Sequence, residues 1–234
     1  MADPTKFLSG QVGQDGWVYV NDDYRPEDLA EIHALIERWP FAVLIVTEPE
    51  LALAFVPIEL RRDVGPLGTL VGHVAAVDPI AASLRAGERL RMAFLGPVTY
   101  VSPTLYADRG LPTYNFGAVE VEGRARPFDD EQAVRRHLMT LVSIHEAHTP
   151  EQQATWRPDE WARNRIGELL DELQAFELPI DWLDAKVKMG QNRTPGDRLG
   201  TIAGLEAAGG EHACEAARMM RARYDDNGDF RPRA

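Results

Sequence analysis

Apolar residues recur along this 234-residue chain with two different periods, and the change of period divides it. From residue 24, "YRPEDLAEIHALIERWP" sets Leu29, Ile32, Ile36 and Trp39 at helical spacing. Pro26 suits a first turn and Pro40 ends the pattern. His33 lies beside that stripe and is expected to be a partly exposed helix residue. In "FAVLIVTEPELALAFVPIEL", two apolar runs flank the turn-like "TEPE", which predicts a β-hairpin. A break at "DVGPLG" leads into the strand "GTLVGHVAA". A short helix, "PIAASLRAGE", then precedes the strands "RLRMAFLGP" and "VTYVSP". In the long strand "YNFGAVEVEGRARPF", Val119 and Val121 alternate with Glu120 and Glu122. This succession of antiparallel runs predicts a small closed or partly closed β-barrel.

The period then lengthens. "DEQAVRRHLMTLVSIHEAH" carries Val134, Leu138, Leu141 and Val142 at helical spacing behind an acidic start suited to a helix N-terminus. "PDEWARNRIGELLDELQAF" reads as a second helix, with Trp161, Ile166, Leu169, Leu170 and Leu173 as its buried face. A late strand, "ELPIDWLDAKVKM", alternates Leu178, Ile180 and Trp182, and two terminal helices follow around 196–208 and 211–224. The pattern predicts one α+β domain over residues 23–225, between a flexible N-terminal arm (1–22) and a flexible tail (226–234).

Charge narrows the function classes. A net charge of −12 argues against nonspecific nucleic-acid binding, which needs a basic face, and against anionic membranes. No apolar run is long enough to span a bilayer, and Cys214 is the single cysteine, so an internal disulfide and multi-cysteine metal sites are excluded. A soluble cytoplasmic protein is expected.

Taken singly, the polar motifs are modest. "SIHEAH" sets His145 and His148 on one helix face around Glu146, with His137 two turns earlier, but without zinc-protease spacing. "DDNGD" (225–229) resembles the start of a calcium loop but lacks its length and closing glutamate. His73 lies in an apolar strand, where an imidazole needs either a hydrogen-bond partner or a ligand. Tyr100, Ser102, Thr104 and Tyr106 gather around one turn, and Thr113, Tyr114, Asn115 and Phe116 repeat the texture. "DAKVKMGQNR" concentrates Lys186, Lys188, Gln191, Asn192 and Arg193 in an otherwise acidic chain.

Together these motifs are specific. "GH" at 72–73, "GPVTYVSPTLY" at 96–106, "PTYNFGAV" at 112–119, "HE" at 145–146 and "KMGQNR" at 188–193 occur in an order that resembles the PaiB family. Its members are described as FMN-binding negative transcriptional regulators, and the likeness covers about residues 24–225. The resemblance implies an FMN-binding split β-barrel with peripheral and C-terminal helices, and a homodimer with the cofactor at its interface. The same family includes piperazate synthases, which use haem b to close an N–N bond in an N-hydroxylated ornithine. The chain departs from the usual motifs. Ala54-Phe55 stands before Val56-Pro57 where Thr-His is usual, and Asp78-Pro79-Ile80-Ala81 replaces Asn-Pro-Gln-Trp. Polar and aromatic groups thus give way to small or aliphatic ones, as in a pocket reshaped for another ligand.

Under the haem reading, the resemblance makes His73 the ligand to haem b iron, with Tyr100, Tyr106 and Lys188 as proton-transfer groups. Ser102, Thr113, Asn115, Lys188, Gln191, Asn192 and Arg193 become cofactor contacts. The substrate is then a small amino-acid-derived amine, whose carboxylate would pair with Arg193 or Arg124. Under the alternative, Lys188 or Arg193 holds an FMN phosphate and the ring stacks near Tyr114 or Phe116. A third reading is a regulator that catalyses nothing. For Gln191 and Asn192 a structural role, satisfying backbone groups at a strand-to-helix junction, stands beside the cofactor role.

Overall fold

The computed structural model describes residues 22–47, 50–147 and 155–231. Residues 1–21 of the predicted arm, His148 and the last three residues of the predicted tail lie outside these. Six α-helices are present among the described residues, and eight strands form one sheet in the order β2-β1-β5-β6-β8-β4-β3, with β7 pairing β8 off that path. No helix among the described residues is long and apolar enough to cross a membrane.

The chain divides into two compact units. One comprises, of the described residues, 36–47, 50–94, 120–147 and 155–183. Here β1 (Phe41–Val46) and β2 (Ala52–Pro57) form the expected hairpin, with Val43 opposite Phe55. β3 (Glu59–Arg61) pairs β4 (Thr69–Ala75), and α2 (Ala81–Arg85) precedes β5 (Arg89–Val101). Leu44, Leu70, Leu84, Leu90, Met92, Phe176 and Leu178 are fully buried. In β6 (Thr113–Arg124), Val119 and Val121 point inward as their alternation predicts. β7 (Arg126–Phe128) leads to α3 (Glu131–Glu146), where the Asp130 side chain caps the first turn through Ala133 N–H.

The second predicted helix needs correction. α4 spans only Glu160–Leu169, a single 3-10 turn follows, and β8 already begins at Leu173 (Leu173–Lys188). Gln174, Ala175 and Phe176 lie opposite Val74, His73 and Gly72, so strand pairing overrides the helical spacing of these residues. Trp161, expected on the buried face, is 73% exposed. α1 (Leu29–Arg38) also differs from expectation, because His33 is buried rather than partly exposed.

The other unit holds, of the described residues, 22–35, 95–119 and 184–231. Met189, Ile202, Leu205, Ala216, Met220 and Tyr224 pack its interior between α5 (Pro195–Ala208) and α6 (Glu211–Arg223). Beyond α6, Tyr224 bridges Phe230, and the Asp225 carboxylate accepts hydrogen bonds from Asn227 and Asp229 N–H. Residues 225–230 therefore form a closed turn, and "DDNGD" uses its first aspartate within its own backbone.

Candidate functional site

The histidine that the apolar pattern singled out is placed by two neighbours. Gly72 precedes it because no side chain fits there: a Cβ would come within 2.8 Å of Ile58 Cδ1 and 2.9 Å of Phe176 Cζ. That close packing fixes β4, and His73 follows opposite Ala175. Its Nδ1 lies 3.1 Å from His137 Nε2, and His137 Nδ1 lies 3.1 Å from Glu59 Oε2. Arg61 Nε donates to the other oxygen of Glu59 at 2.8 Å, and its NH1 donates to Glu177 at 2.7 Å. His137 and Glu59 are buried, so this is an interior polar chain running from β3 through α3 to β4.

Charge states follow from the surroundings. Burial acts against the Glu59 carboxylate, but hydrogen bonds from His137 and Arg61, with the Arg61 charge, outweigh it and hold the group below the usual carboxylate range. Burial, and secondarily His137, push His73 down to about 4, so its imidazole is neutral at pH 7. Among the described residues, His73 Nε2 makes no hydrogen bond.

Beside His73 lies a cavity of about 620 Å3. Leu138, Leu141, Val142 and His145 face it from successive turns of α3, Ile166 and Leu169 from α4, and Ala75 and Leu173 from the strands. Glu146 and Trp156 also line it, and the Glu146 carboxylate accepts from Trp156 N–H at 2.8 Å. The size and lining are those of a site for a small molecule or cofactor. Among the described residues, no group of three or more His, Cys, Asp or Glu could by itself hold a metal ion. Of the "SIHEAH" residues, His145 and Glu146 line the cavity and His137 stands behind His73.

The remaining predicted site residues belong to the other unit. Lys186 and Lys188 leave the same face of β8, while Ala185, Val187 and Met189 are buried. Both ammonium groups lie over the Tyr24 ring, and Lys188 donates to Thr113 Oγ1. Burial, then the Lys186 and Arg193 charges, lower the Lys188 pKa. Arg193 stacks over Tyr106 at 4.2 Å and donates to Leu111 O at 2.9 Å, but its Nε is buried without a hydrogen-bond partner. Burial raises the pKa of Tyr106. Tyr106, Thr113, Asn115, Lys188, Asn192 and Arg193 share a nook of about 10 Å3, far too small for a cofactor ring.

Several of these candidates have structural partners. Gln191 accepts from Met189 N–H and donates to Val187 O, so its amide closes its own turn. Ser102 caps the 3-10 turn Pro103–Leu105 through Thr104 N–H. Asn115 is buried against Met220 Sδ at 3.4 Å. Tyr100 is an exposed ring set edge-on to Tyr114. Arg124 donates to Gly87 O and does not line the His73 cavity. Sequence reading missed Glu59 altogether and weighed His137 only alongside the "SIHEAH" histidines, as part of a weak metal motif. The one available signal was that an imidazole in an apolar strand needs a partner.

Residues 18–182 match the family described as "Putative FMN-binding domain". The chain belongs to this FMN-binding domain family. Its relatives include the Protease synthase and sporulation protein PAI 2 of Bacillus subtilis, 22% identical over 204 residues, covering 87% of this chain and 96% of that protein. An uncharacterized protein of Aspergillus fumigatus is 26% identical over 194 residues, covering 68% of this chain and 74% of the other. Among solved structures, the FAD and heme binding protein of Mycobacterium smegmatis superposes with a TM-score of 0.53 at 16% identity, covering 80% of this chain and 81% of that one. A conserved hypothetical protein of Mycobacterium tuberculosis gives 0.50 at 15% identity, covering 73% and 90%. The PaiB-like resemblance and the α+β split-barrel fold expected from it are thereby borne out.

Proposed function

We propose that this member of the FMN-binding domain family is a haem-dependent enzyme acting on an N-hydroxylated, amino-acid-derived amine, in the manner of the piperazate synthases it resembles. The observation that carries the reading is His73: a neutral imidazole at the wall of a mostly apolar cavity of about 620 Å3, with Nε2 making no hydrogen bond among the described residues. An unprotonated ring nitrogen is an iron ligand, and an apolar enclosure of this size suits a porphyrin face. The residues present fit haem b: His73 would ligate its iron, and Leu138, Leu141, Ile166 and Leu169 would supply apolar contacts for the ring. Bound there, haem supplies an electrophilic centre at which an N–O bond is weakened.

The chain's own groups then have defined tasks. The apolar walls exclude water that would compete with the substrate amine for the electrophilic nitrogen. The amine nitrogen forms the N–N bond as the N–O bond breaks, and the hydroxyl leaves with a proton as water, so the step is redox-neutral. His145 and Glu146, which line the cavity, would move that proton. Tyr100, Tyr106 and Lys188 do not line the cavity.

A second reading keeps FMN. The family's description favours it, and so does the cationic cluster of Lys186, Lys188 and Arg193, which suits a phosphate. The flavin ring would then lie outside the 10 Å3 nook, against the exposed Tyr100–Tyr114 pair. In either case we propose a cytoplasmic homodimer working on a small molecule. The charge of −12 disfavours an operator-binding regulator.

The test is the absorption spectrum of protein purified from cells supplied with haem, beside the His73→Ala variant. A Soret band near roughly 400 nm, lost in the variant while circular dichroism is unchanged, supports the haem reading. A band that survives in the variant removes His73 as ligand. Flavin bands instead transfer the case to FMN, and a protein that takes up neither cofactor on titration ends both readings.

A further inference from the structure

We propose that Glu59 and His137 are positioning residues that set the tautomer and donor strength of His73, holding its Nε2 as a lone pair aimed into the cavity. The assignment deepens the haem reading and rests on it only for its second test. It follows from hydrogen-bond polarity along the chain of partners. A carboxylate is acceptor-only. Arg61 Nε–H occupies Glu59 Oε1 at 2.8 Å, which turns Oε2 toward His137 Nδ1 at 3.1 Å. His137 must therefore donate from Nδ1. Its ring has no solvent-exposed side-chain surface, so each ring nitrogen meets only the partner the fold gives it. A neutral ring protonated on Nδ1 has an acceptor at Nε2, and the group 3.1 Å from that acceptor is His73 Nδ1. Nδ1–H of His73 is thus the donor, and its Nε2 is left unprotonated.

The opposite polarity fails on packing. It would ask one buried ring, His137, to donate from both nitrogens, and would set an Nε2–H of His73 against a largely aliphatic wall with no acceptor among the described residues. An orphaned N–H is costlier than an under-used lone pair. The anchored carboxylate also draws His137, and through it His73, toward imidazolate character. Outer partners of this kind orient a ligating imidazole and raise its basicity. Arg61 is itself tied to Glu177, so the Glu59 carboxylate has little freedom to turn away.

The first test uses apo protein, without any cofactor. Long-range 1H–15N spectra of the imidazoles at neutral pH should show His73 protonated on Nδ1 and unprotonated on Nε2. In His137→Phe the same ring should shift toward the Nε2–H tautomer, which free imidazole side chains favour. A wild-type His73 carrying its proton on Nε2 overturns the assignment, whatever the protein binds. Should His137→Phe not fold, Glu59→Gln serves in its place, since it keeps shape and removes the anchoring charge. The second test uses haem-loaded wild type and Glu59→Gln. The variant should bind haem roughly 10- to 100-fold more weakly, and its reduction potential should move in the positive direction as the axial donor weakens. Unchanged affinity and potential in a folded Glu59→Gln refute the donor-strength part. A protein that never binds haem refutes the functional reading while the apo spectra still decide the tautomer.

Discussion

At the scale of single residues, Gly72 shows how a short motif acquires meaning. Two letters, "GH", could be read in the sequence, but the reason for the glycine could not. It lies in the contact with Ile58 and Phe176, residues far from it along the chain and both buried. Gly72→Ala should therefore cost about 1–3 kcal/mol, the usual penalty of forcing a methyl into a filled core. Urea unfolding should show a lower midpoint with an unchanged slope, because the loss is one of packing and not of compactness. An alanine variant as stable as the wild type would mean that Ile58 and Phe176 move aside freely, leaving β4 less firmly placed than its packing implies. The same limit hid the Glu59–His137–His73 chain. His137 lies 64 residues from His73 and 78 from Glu59, so only folding shows the three as partners.

At the scale of elements, alternation was the better signal, although in β8 the inward face passes from Ile180 to Leu183 and leaves Trp182, expected inside, only half-buried. The β1–β2 hairpin and the inward valines of β6 follow from period two, because one face of each is buried. The α4–β8 boundary was misread because "LLDELQAF" satisfies helical spacing, and only pairing with β4 selects the strand. The end of β8 answers the puzzle of "KVKMGQNR": much of it is a clasp. Gly190 takes φ +78°, a conformation suited to glycine, and Gln191 closes the turn. Arg198 of α5 reaches back to the carbonyls of Gly190, Gln191 and Gly228, and Thr194 caps the helix.

Tyr224 locks the same clasp by donating to Met189 O at 2.9 Å. Burial pushes this phenol up to about 12 from its usual value near 10, against the lowering pull of Arg198 and Arg223. A raised folded-state pKa means that the native protein keeps a proton which the unfolded chain releases. The stabilisation is complete below pH 10 and is lost as pH rises toward 12. Over that interval wild type should lose about 2–3 kcal/mol more than Tyr224→Phe, measured by urea unfolding at each pH. Parallel losses in the two proteins would show that Tyr224 ionises as freely in the fold as in the unfolded chain.

At the scale of the whole molecule, the chain is strongly acidic yet leaves apolar strand faces uncovered. Phe41, Leu53 and Phe55 are 62%, 52% and 65% exposed, and the β1–β2 register sets Phe55 opposite Val43 and Leu53 opposite Ile45 on one outward face. An exposed patch of large side chains on an antiparallel sheet is an unfavourable surface for a monomer. The homodimer proposed above would cover it. Burying one phenylalanine contributes about 1.5–3 kcal/mol, and a two-fold interface counts it twice. Phe55→Lys should accordingly weaken the dimer by at least about 100-fold, since it also sets two ammonium groups against apolar partners. Sedimentation equilibrium across micromolar concentrations should find wild type dimeric and the variant largely monomeric, with matching circular dichroism. Haem uptake by that monomer then bears on the site itself: retention makes the His73 cavity complete within one chain, and loss makes the second copy part of the binding site. A wild type that sediments as a monomer throughout would remove the dimer and leave the apolar face for another partner.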